Sequence, residues 1–506
     1  MKKGFLIFGL LVFGAFVYTI SAMQYNYINN VIKVFSGNFI GFVVSGLLGL
    51  IALGIVVKIL LKEDYAYNKS YWLLIIVLNP ILGIILYGIF ARDFQTRKFP
   101  KSRPLIASKA FLAYEKQSKD DFNDYQFSEV FTFIQKHNKR AVYKDNTSVE
   151  LLNNGDQFFP MLEEKIKQAK NYIMMEFYIL KTDYTGKRVL DLLKIKSESG
   201  VKVFLLYDHF GSNKFIDYQY LAKLKQAGVH ISVFDPQTLS VFNSNLNFRN
   251  HRKVTVIDGE VGFIGGMNLG DEYNHLSNRF GYWRDTQVMI SGQGVLGLYN
   301  VFIKDWYYVT SNVLDLYRHP KEATQKGLFS VIESGPDYEN GLIKDVYLKM
   351  IMMAKKSIKI TTPYLILEPE LLAALKIASY SGVEIQLMVP GKHDYIAVGY
   401  ATKSYYESLL KMDVQIYEYE SKFIHAKLLI VDDMIASVGT VNIDPRSLNL
   451  NFEATSIFEN STVTDLVKTY NDDLKISKRI TKEEWKKRGI FTKIAQGWFS
   501  LFSPMF

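Results

Sequence analysis

Three long apolar stretches occupy the first ninety residues of the chain, before a remainder in which apolar and charged residues alternate. The stretches run from Phe5 to about Ala22, from Phe39 to Leu61 and from Tyr71 to Phe90. A helix that spans a bilayer needs about 20 mainly apolar residues, so the second and third stretches predict transmembrane helices. Pro80 removes a backbone donor inside the third stretch, and we expect a kink there.

The first stretch has two interpretations. Lys2 and Lys3 precede it and Ser21-Ala22-Met23 ends it, which fits a signal sequence or signal anchor as well as a retained span. Residues 1–91 are therefore expected to form a membrane segment of two or three transmembrane helices.

Basic residues cluster directly after the third stretch, at Arg92, Arg97, Lys98, Lys101 and Arg103. The loop before that stretch holds only Lys62 and Lys69. Because basic flanks stay on the cytoplasmic side, we expect a multi-pass protein of the cell membrane whose C-terminal part is cytoplasmic. Three retained spans would place Lys2 and Lys3 outside, so this topology fits best if the first stretch is cleaved or does not span.

Residues 92–150 are polar and predict a connector, after which helix and strand patterns alternate. Helical spacing covers Phe159–Ala169 and Arg188–Glu198, and the apolar runs Tyr172–Ile179 and Val201–Tyr207 are typical of buried strands. This alternation indicates an α/β fold with a parallel or mixed sheet covered by helices.

The same order of patterns returns later in the chain. Ser381-Gly382 and the strand after it repeat Ser199-Gly200, and a strand near Val414–Tyr419 repeats one near Val229–Phe234. We therefore predict a duplicated α/β domain, with a first half at 151–295, a linker at 296–340 and a second half at 341–480. The tail at 481–506 mixes basic and aromatic residues, and it fits either an interfacial helix on anionic lipid or a helix packed on the domain.

Charge and cysteine content narrow the function classes. Lysine and arginine exceed aspartate and glutamate by 60 to 50, and this basic balance fits an anionic partner such as nucleic acid or acidic lipid. The absence of cysteine from the sequence excludes disulfides, thiolate zinc sites and cysteine nucleophiles.

One spaced set of polar residues occurs twice, once in each predicted half. The first copy consists of His251, Lys253, Asp258, Gly266 and Asn268, and the second of His425, Lys427, Asp432, Thr440 and Asn442. In both copies the lysine follows the histidine by two positions and the aspartate follows the lysine by five. A single histidine on a strand is usually structural, but two copies of one spacing predict two half-sites that form one active site.

These residue types suit phosphate chemistry. One histidine would attack phosphorus and the other would act as general acid and base, while lysines and asparagines stabilise the transition state. The backbone at Gly266 and the hydroxyl of Thr440 would add phosphate contacts. Asp258 and Asp432 have two interpretations, catalysis or the shaping of a tight turn. We expect no metal and no cofactor.

At these residues the chain resembles the phospholipase D superfamily and, within it, the bacterial cardiolipin synthases. Further similar segments are Glu176-Phe177-Tyr178-Ile179, Gly281-Tyr282-Trp283-Arg284-Asp285-Thr286 and Asn442 to Glu453. The resemblance implies two α/β/α-sandwich halves of phospholipase D type. It implies transfer of a phosphatidyl group between two phosphatidylglycerol molecules through a phosphatidyl-histidine intermediate, giving cardiolipin and glycerol, with membrane phospholipids and not nucleic acid as partners.

The resemblance also assigns roles. His251 would be the nucleophile and His425 the acid and base, each oriented by a carboxylate beyond its own motif, Asp285 for His251 and Glu453 for His425. The motifs leave open a hydrolase that uses water, a transferase that uses another alcohol, an inactive scaffold and a nuclease. The predicted membrane segments favour a lipid substrate, and the oligomeric state stays open.

Overall fold

The computed structural model describes residues 39–61, 66–90, 122–137, 140–234, 248–277, 281–336, 341–420 and 423–501. The first apolar stretch, most of the predicted connector and the last five residues of the tail lie outside the described residues. The described helices of residues 39–90 belong to one compact unit, and the described residues from 122 to 501 belong to another.

The first unit contains α1 (Phe39–Leu61), α2 (Ala66–Leu78) and α3 (Pro80–Phe90). Instead of the kink expected at Pro80, the helix is interrupted there: α2 ends at Leu78 and α3 begins at Pro80. The side-chain oxygen of Asn79, between the two helices, accepts a bond from Leu82 N at 3.0 Å. Within the described part of the chain, no helix combines the length and the apolarity that crossing a membrane requires. The predicted transmembrane helices are therefore not confirmed.

The second unit holds two mixed sheets and a two-stranded pair. Its strands are β1 (Tyr143–Lys144), β2 (Thr147–Asn153), β3 (Tyr172–Phe177), β4 (Lys202–Asp208), β5 (His230–Phe234), β6 (Val254–Ile257), β7 (Val261–Gly265), β8 (Trp283–Arg284), β9 (Thr286–Gly292), β10 (Gly327–Ser334), β11 (Ser357–Thr361), β12 (Glu384–Pro390), β13 (Gln415–Tyr419), β14 (Phe423–Ile424), β15 (Leu428–Val431), β16 (Ile435–Gly439), β17 (Glu453–Asn460) and β18 (Ser477–Ile480).

Helices lie between these strands. They are α4 (Ser128–Lys136), α5 (Asn154–Gln168), α6 (Tyr184–Glu198), α7 (His209–Ser212), α8 (Tyr218–Gln226), α9 (Val295–Thr310), α10 (Leu342–Met353), α11 (Pro369–Tyr380), α12 (Ile396–Ser404), α13 (Tyr406–Lys411), α14 (Pro445–Asn449), α15 (Thr462–Lys475), α16 (Lys482–Lys486) and α17 (Ile490–Ser500). Short 3₁₀ turns cover Asn213–Phe215 and Asp271–Asn274.

The two large sheets have the same topology. One runs β2-β9-β7-β6-β3-β4-β5, and the other contains β10-β17-β16-β15-β11-β12-β13, with β1 and β18 added at its edges. The strands β3, β4 and β5 are parallel to one another, as are β11, β12 and β13. The next strand in each sheet, β6 or β15, runs antiparallel to them. This shared order confirms the predicted duplication of an α/β unit.

Alternating side chains of β3 explain how helices cover both faces of the first sheet. Ile173 and Met175 join the apolar core formed with α5, α6 and α8. The opposite face is covered by α9, whose Trp306 packs against Phe204 of β4 with ring centroids 5.2 Å apart. Because strand side chains alternate between faces, a fully buried strand needs such a layer on each side.

Two predicted boundaries need correction. The linker at 296–340 contains most of α9 and all of β10, and β10 pairs with β17 inside the second sheet. The connector at 92–150 ends in β1, which pairs with β10, and in the start of β2, which pairs with β9. These segments are structured through distant partners, which a local sequence pattern does not show.

Candidate active site

Each repeated motif lies on a hairpin whose entry segment is bound to the other half. His251 precedes β6, and its backbone N–H donates to Phe452 O at 2.9 Å. His425 follows β14, and its N–H donates to Arg284 O at 2.7 Å. The parallel pairing of β8 with β14 fixes the second contact. The backbone therefore joins the two motifs at one place.

The histidines are held by buried carboxylates that cross between the halves. His251 Nδ1 lies 2.8 Å and 3.0 Å from the two carboxylate oxygens of Glu453. His425 Nδ1 lies 2.7 Å from Asp285 Oδ2. The expectation that each carboxylate serves the histidine of its own half is wrong, because the strand that carries it lies against the other motif. Donation from Nδ1 to a carboxylate leaves Nε2 of each ring as a proton acceptor.

Aromatic rings pack beside both histidines. The ring of Tyr178 meets His251 edge-on at a centroid distance of 4.9 Å, and Trp283 lies 5.0 Å from His425. Burial lowers the pKa of His251 to about 4, against the attraction of Glu453, and that of His425 to about 3, aided by the charge of Lys427. Both rings are thus neutral near pH 7.

The two lysines lie within the same buried site. Lys253 Nζ donates to His251 O at 2.7 Å, and Lys427 Nζ donates to His425 O. Burial lowers the pKa of Lys253 to about 7 and that of Lys427 to about 8, although nearby carboxylates act in the opposite direction. Lys427 Nζ also lies 2.8 Å from His425 Nδ1, but a ring nitrogen that donates to Asp285 has no free electron pair to accept a bond.

The carboxylate of Asp285 is kept charged in spite of its burial. Burial acts to raise its pKa, but His425, Lys427 and the backbone N–H of Thr286 outweigh that effect and lower it. A charged Asp285 stabilises the N–H of His425 that points toward it and the imidazolium that forms during proton transfer.

Gly266 and Thr440 support the carboxylates and do not face a phosphate. The N–H of Gly266 donates to Thr286 O at 3.1 Å, and a Cβ at this position would lie 2.1 Å from Asp285 Oδ1. The hydroxyl of Thr440 donates to Glu453 Oε2, and its N–H donates to Ala454 O at 2.9 Å. Both groups are already bonded within the protein, so the structure assigns them to the support of the carboxylates and does not support direct phosphate contacts from these two positions.

The motif asparagines differ between the halves. Asn268 is buried, accepts a bond from Ile179 N at 2.9 Å and donates to Tyr273 OH at 2.8 Å. Asn442 is also buried and donates to Asp444, while its Oδ1 has no hydrogen-bond partner among the residues that the structure describes. Asn268 thus fixes the end of β3, and Asn442 keeps the freer amide oxygen.

Asp258 and Asp432 lie at the far end of each hairpin from the histidine. Asp258 accepts bonds from the N–H groups of Lys170, Asn171 and Tyr172 at 2.7 to 2.8 Å. Asp432 does the same for the N–H groups of Lys355, Lys356 and Ser357, at 2.7 to 3.1 Å. Both have positive φ, 55° and 53°, as a tight hairpin turn requires. Of the two interpretations of these aspartates, catalysis is therefore corrected in favour of the turn, which both residues shape and anchor.

Arg252 is a site residue that the sequence did not single out. Its Nε donates to Glu453 O at 3.1 Å and its Nη2 to Ser334 O at 3.1 Å, and its guanidinium pairs with Asp305. Arg252 lies between His251 and Lys253 in the sequence, but the second copy has Ala426 at the matching position. The repeat therefore did not indicate a role for Arg252.

A second missed pair reaches Lys427. Tyr364 OH donates to Asp394 Oδ2 at 2.6 Å. Burial raises the pKa of Asp394 above its ordinary value, and the bonds from Tyr364 and from its own loop and the charge of Lys427 offset this only in part. Tyr364 follows β11 and Asp394 follows β12, as Tyr178 follows β3 and Asp208 ends β4 in the first half.

The family described as "Cardiolipin synthase, PLD-like domain" matches residues 162–281 and 347–475, one match in each half. The chain is 38% identical over 462 residues to the major cardiolipin synthase of Bacillus subtilis (strain 168), covering 88% of this chain and 95% of that one. It is 36% identical over 480 residues to the cardiolipin synthase of Oceanobacillus iheyensis, covering 92% and 99%.

Among solved structures, the fold is similar to that of a phosphatidylserine synthase from Haemophilus influenzae Rd KW20. The TM-score is 0.56 with 14% sequence identity, over 75% of this chain and 98% of that one. At this identity the similarity concerns the fold alone.

Proposed function

Since the chain belongs to the family of cardiolipin synthases with phospholipase D-like domains, we propose how its own residues perform the transfer. The enzyme is a phosphatidyltransferase that moves a phosphatidyl group from one phosphatidylglycerol to another and releases glycerol. The observation that carries the mechanism is the crossed pair of contacts from Glu453 to His251 and from Asp285 to His425. It presents Nε2 of both rings for chemistry.

In the first step, His251 Nε2 attacks the phosphorus of the donor phosphatidylglycerol. A P–N bond forms, the P–O bond to glycerol breaks, and His425, which is protonated once the anionic substrate is bound, gives its Nε2 proton to the departing glycerol oxygen. Glu453 stabilises the positive charge that His251 acquires, as a carboxylate on the other ring nitrogen does in acyl transfer.

In the second step, the neutral His425 takes the proton from a hydroxyl of the second phosphatidylglycerol. That oxygen attacks phosphorus, the P–N bond breaks and His251 is restored. Because the histidine holds the phosphatidyl group while glycerol leaves, an alcohol can replace it without a metal ion taking part in this scheme.

Lys253 and Lys427 bind the phosphate oxygens in this scheme. Burial lowers the pKa of both lysines although carboxylates lie nearby, so these carboxylates do not fully balance the two positive charges. The negative charge of a bound phosphodiester would balance them. The same negative charge favours the protonated form of His425, which is neutral in the free protein. Substrate binding therefore favours protonation of His425, the general acid. The side-chain oxygen of Asn442 is placed to accept a hydrogen bond from a substrate hydroxyl.

The test is the product of the purified full chain on phosphatidylglycerol vesicles. The expected products are cardiolipin and free glycerol in equal amounts. Phosphatidic acid with glycerol and no cardiolipin would make the protein a hydrolase. Adding an alcohol such as ethanol tests the specificity for the acceptor. A transferase that accepts other alcohols would form the corresponding phosphatidyl alcohol.

Attachment to the cell membrane through residues 39–61 and 71–90 is part of the proposal, with the catalytic unit on the cytoplasmic side. It is supported by the apolar sequence of these segments and by the basic cluster from Arg92 to Arg103. The chain has no cysteine, so a single cysteine introduced at Lys98 gives a clean label site. Labelling of intact cells by a membrane-impermeant maleimide would contradict the cytoplasmic placement, and labelling only after lysis is expected.

A further inference from the structure

The C-terminal helix α17 is amphipathic and has one face packed and one face exposed. Ala495 and Gln496 are buried, and Phe499 stacks on Tyr400 of α12 with ring centroids 5.5 Å apart. The exposed residues follow helical spacing and form what we name the apolar row: Ile490, Phe491, Ile494, Trp498 and Leu501. Ile490 and Phe491 are 63% and 53% exposed.

The charged residues of the segment that carries the apolar row, from 486 to 501, have one sign, although Glu407 of α13 is paired with Arg488. From residue 486 to residue 501 the sequence contains Lys486, Lys487, Arg488 and Lys493 and no acidic residue. The three lysines are exposed, whereas Arg488 is bonded to Glu407 and Gln496. Basic side chains beside an exposed apolar face fit a surface that is both apolar and anionic, as an acidic phospholipid bilayer is.

The helix that packs against α17, α12, begins just after the loop that holds Asp394. Tyr395 and Ile396, at the start of α12, are 62% and 70% exposed. The preceding residue, Asp394, bonds to Tyr364 and is influenced by the charge of Lys427. Exposed apolar side chains therefore lie on α17 and at the start of its packing partner α12, next to the loop of Asp394.

We propose that the apolar row inserts into an anionic lipid surface and holds the active-site loop at that surface, so that phosphatidylglycerol enters from the bilayer. The proposal rests on the proposed lipid substrate and deepens it. Lipid is favoured over a protein partner because the exposed charged residues from 486 to 501 are lysines and because the row is joined by α12 to a site whose substrate is itself an anionic lipid.

Insertion is tested by fluorescence of the full chain reconstituted in phosphatidylglycerol vesicles that contain lipids brominated in the acyl chains. The signal of Trp498 is the difference between the wild type and Trp498→Phe. Strong quenching of this difference by shallow bromines is expected, and it should be lost in the Phe491→Gln, Ile494→Gln double variant. An unquenched Trp498 would overturn the proposal.

A kinetic measurement separates docking from folding. The double variant is expected to lose about tenfold of its rate on vesicles, since each lost apolar anchor weakens insertion. It should keep its rate on short-chain phosphatidylglycerol dissolved as monomers. Equal loss on both substrates, or no loss on vesicles, would contradict the surface role. The matched control is Met352→Gln with Ile377→Gln, two exposed apolar residues on α10 and α11, which should leave both rates unchanged.

The outcome for the surface is distinct from that for the reaction. If wild-type protein forms no cardiolipin but Trp498 is quenched, the proposed function fails and the docking surface stands. If cardiolipin forms and Trp498 is not quenched, only the docking surface fails.

Discussion

Glu453, at the start of β17 in the second half, accepts a bond at 2.8 Å from Nδ1 of His251 in the first half. Asp285 of the first half does the same for His425 at 2.7 Å. Neither half therefore contains a complete histidine–carboxylate pair of its own. The duplication yields one active site because each half supplies the partner that the other histidine needs.

Replacement of either histidine tests the requirement for both. His251→Ala removes the nucleophile and His425→Ala removes the acid and base, so each is expected to lower kcat by several orders of magnitude. The measurement is cardiolipin formation by purified protein, with His319→Ala, at a solvent-exposed histidine, as the control. Comparable activity in either active-site variant would contradict the two-histidine scheme.

Asp258→Asn is expected to affect stability and leave the chemistry unchanged. The carboxylate accepts three backbone N–H bonds, and its loss should lower the free energy of unfolding by about 1–3 kcal/mol. Asp432→Asn should behave alike. Thermal unfolding and kcat are measured together, and a thousandfold loss of kcat at unchanged stability would return these residues to the catalytic set.

Gly266→Ala is expected to disturb His425 through Asp285. The added Cβ would lie 2.1 Å from Asp285 Oδ1, so the carboxylate must move away from the ring it orients. A displacement of this kind can cost about a hundredfold in rate. Gly489→Ala, where a Cβ meets nothing within 4 Å, is the control. If Gly266→Ala keeps full activity, Asp285 does not need its present position.

The alkaline limb of the pH profile is assigned to the lysines. A lysine is charged below its pKa, and the pKa values of Lys253 and Lys427 are lowered to about 7 and about 8. The rate kcat/KM should therefore fall as pH rises through this range, because uncharged lysines bind the phosphate less well. In Lys427→Arg the guanidinium stays charged, so the part of the limb near pH 8 should flatten even if the rate is lower. An unchanged limb in Lys253→Arg and Lys427→Arg would assign it to another group.

The sequence predicted the duplicated α/β fold and the two histidine–lysine pairs well, because both depend on local pattern and repeated spacing. It could not choose between catalysis and turn shaping for Asp258 and Asp432, since a motif does not tell which end of a hairpin faces the ligand. It misplaced the partners of Asp285 and Glu453 because strand pairing between halves is not encoded in distance along the chain. The role of Arg252 could not be predicted because its three partners, Glu453, Ser334 and Asp305, are distant in the sequence.

The contacts of Gly266 and Thr440 with the two carboxylates could not be predicted from the motif either. Small residues in the repeat suggested close approach to a ligand. In the structure the space at Gly266 is filled by Asp285, and the hydroxyl of Thr440 is bonded to Glu453. The residue types were informative, but their partner was a side chain of the protein.

The most direct test of the crossed arrangement uses a phosphatidyl ester of p-nitrophenol, a leaving group that needs no proton. Rapid-quench kinetics would follow p-nitrophenolate release, and mass spectrometry would locate the phosphatidyl group. With Glu453 serving the nucleophile, Glu453→Gln should lose the burst of release. Asp285→Asn should show a burst and then stall with the adduct on the peptide that contains His251. A burst in Glu453→Gln and none in Asp285→Asn, or an adduct on His425, would contradict the account.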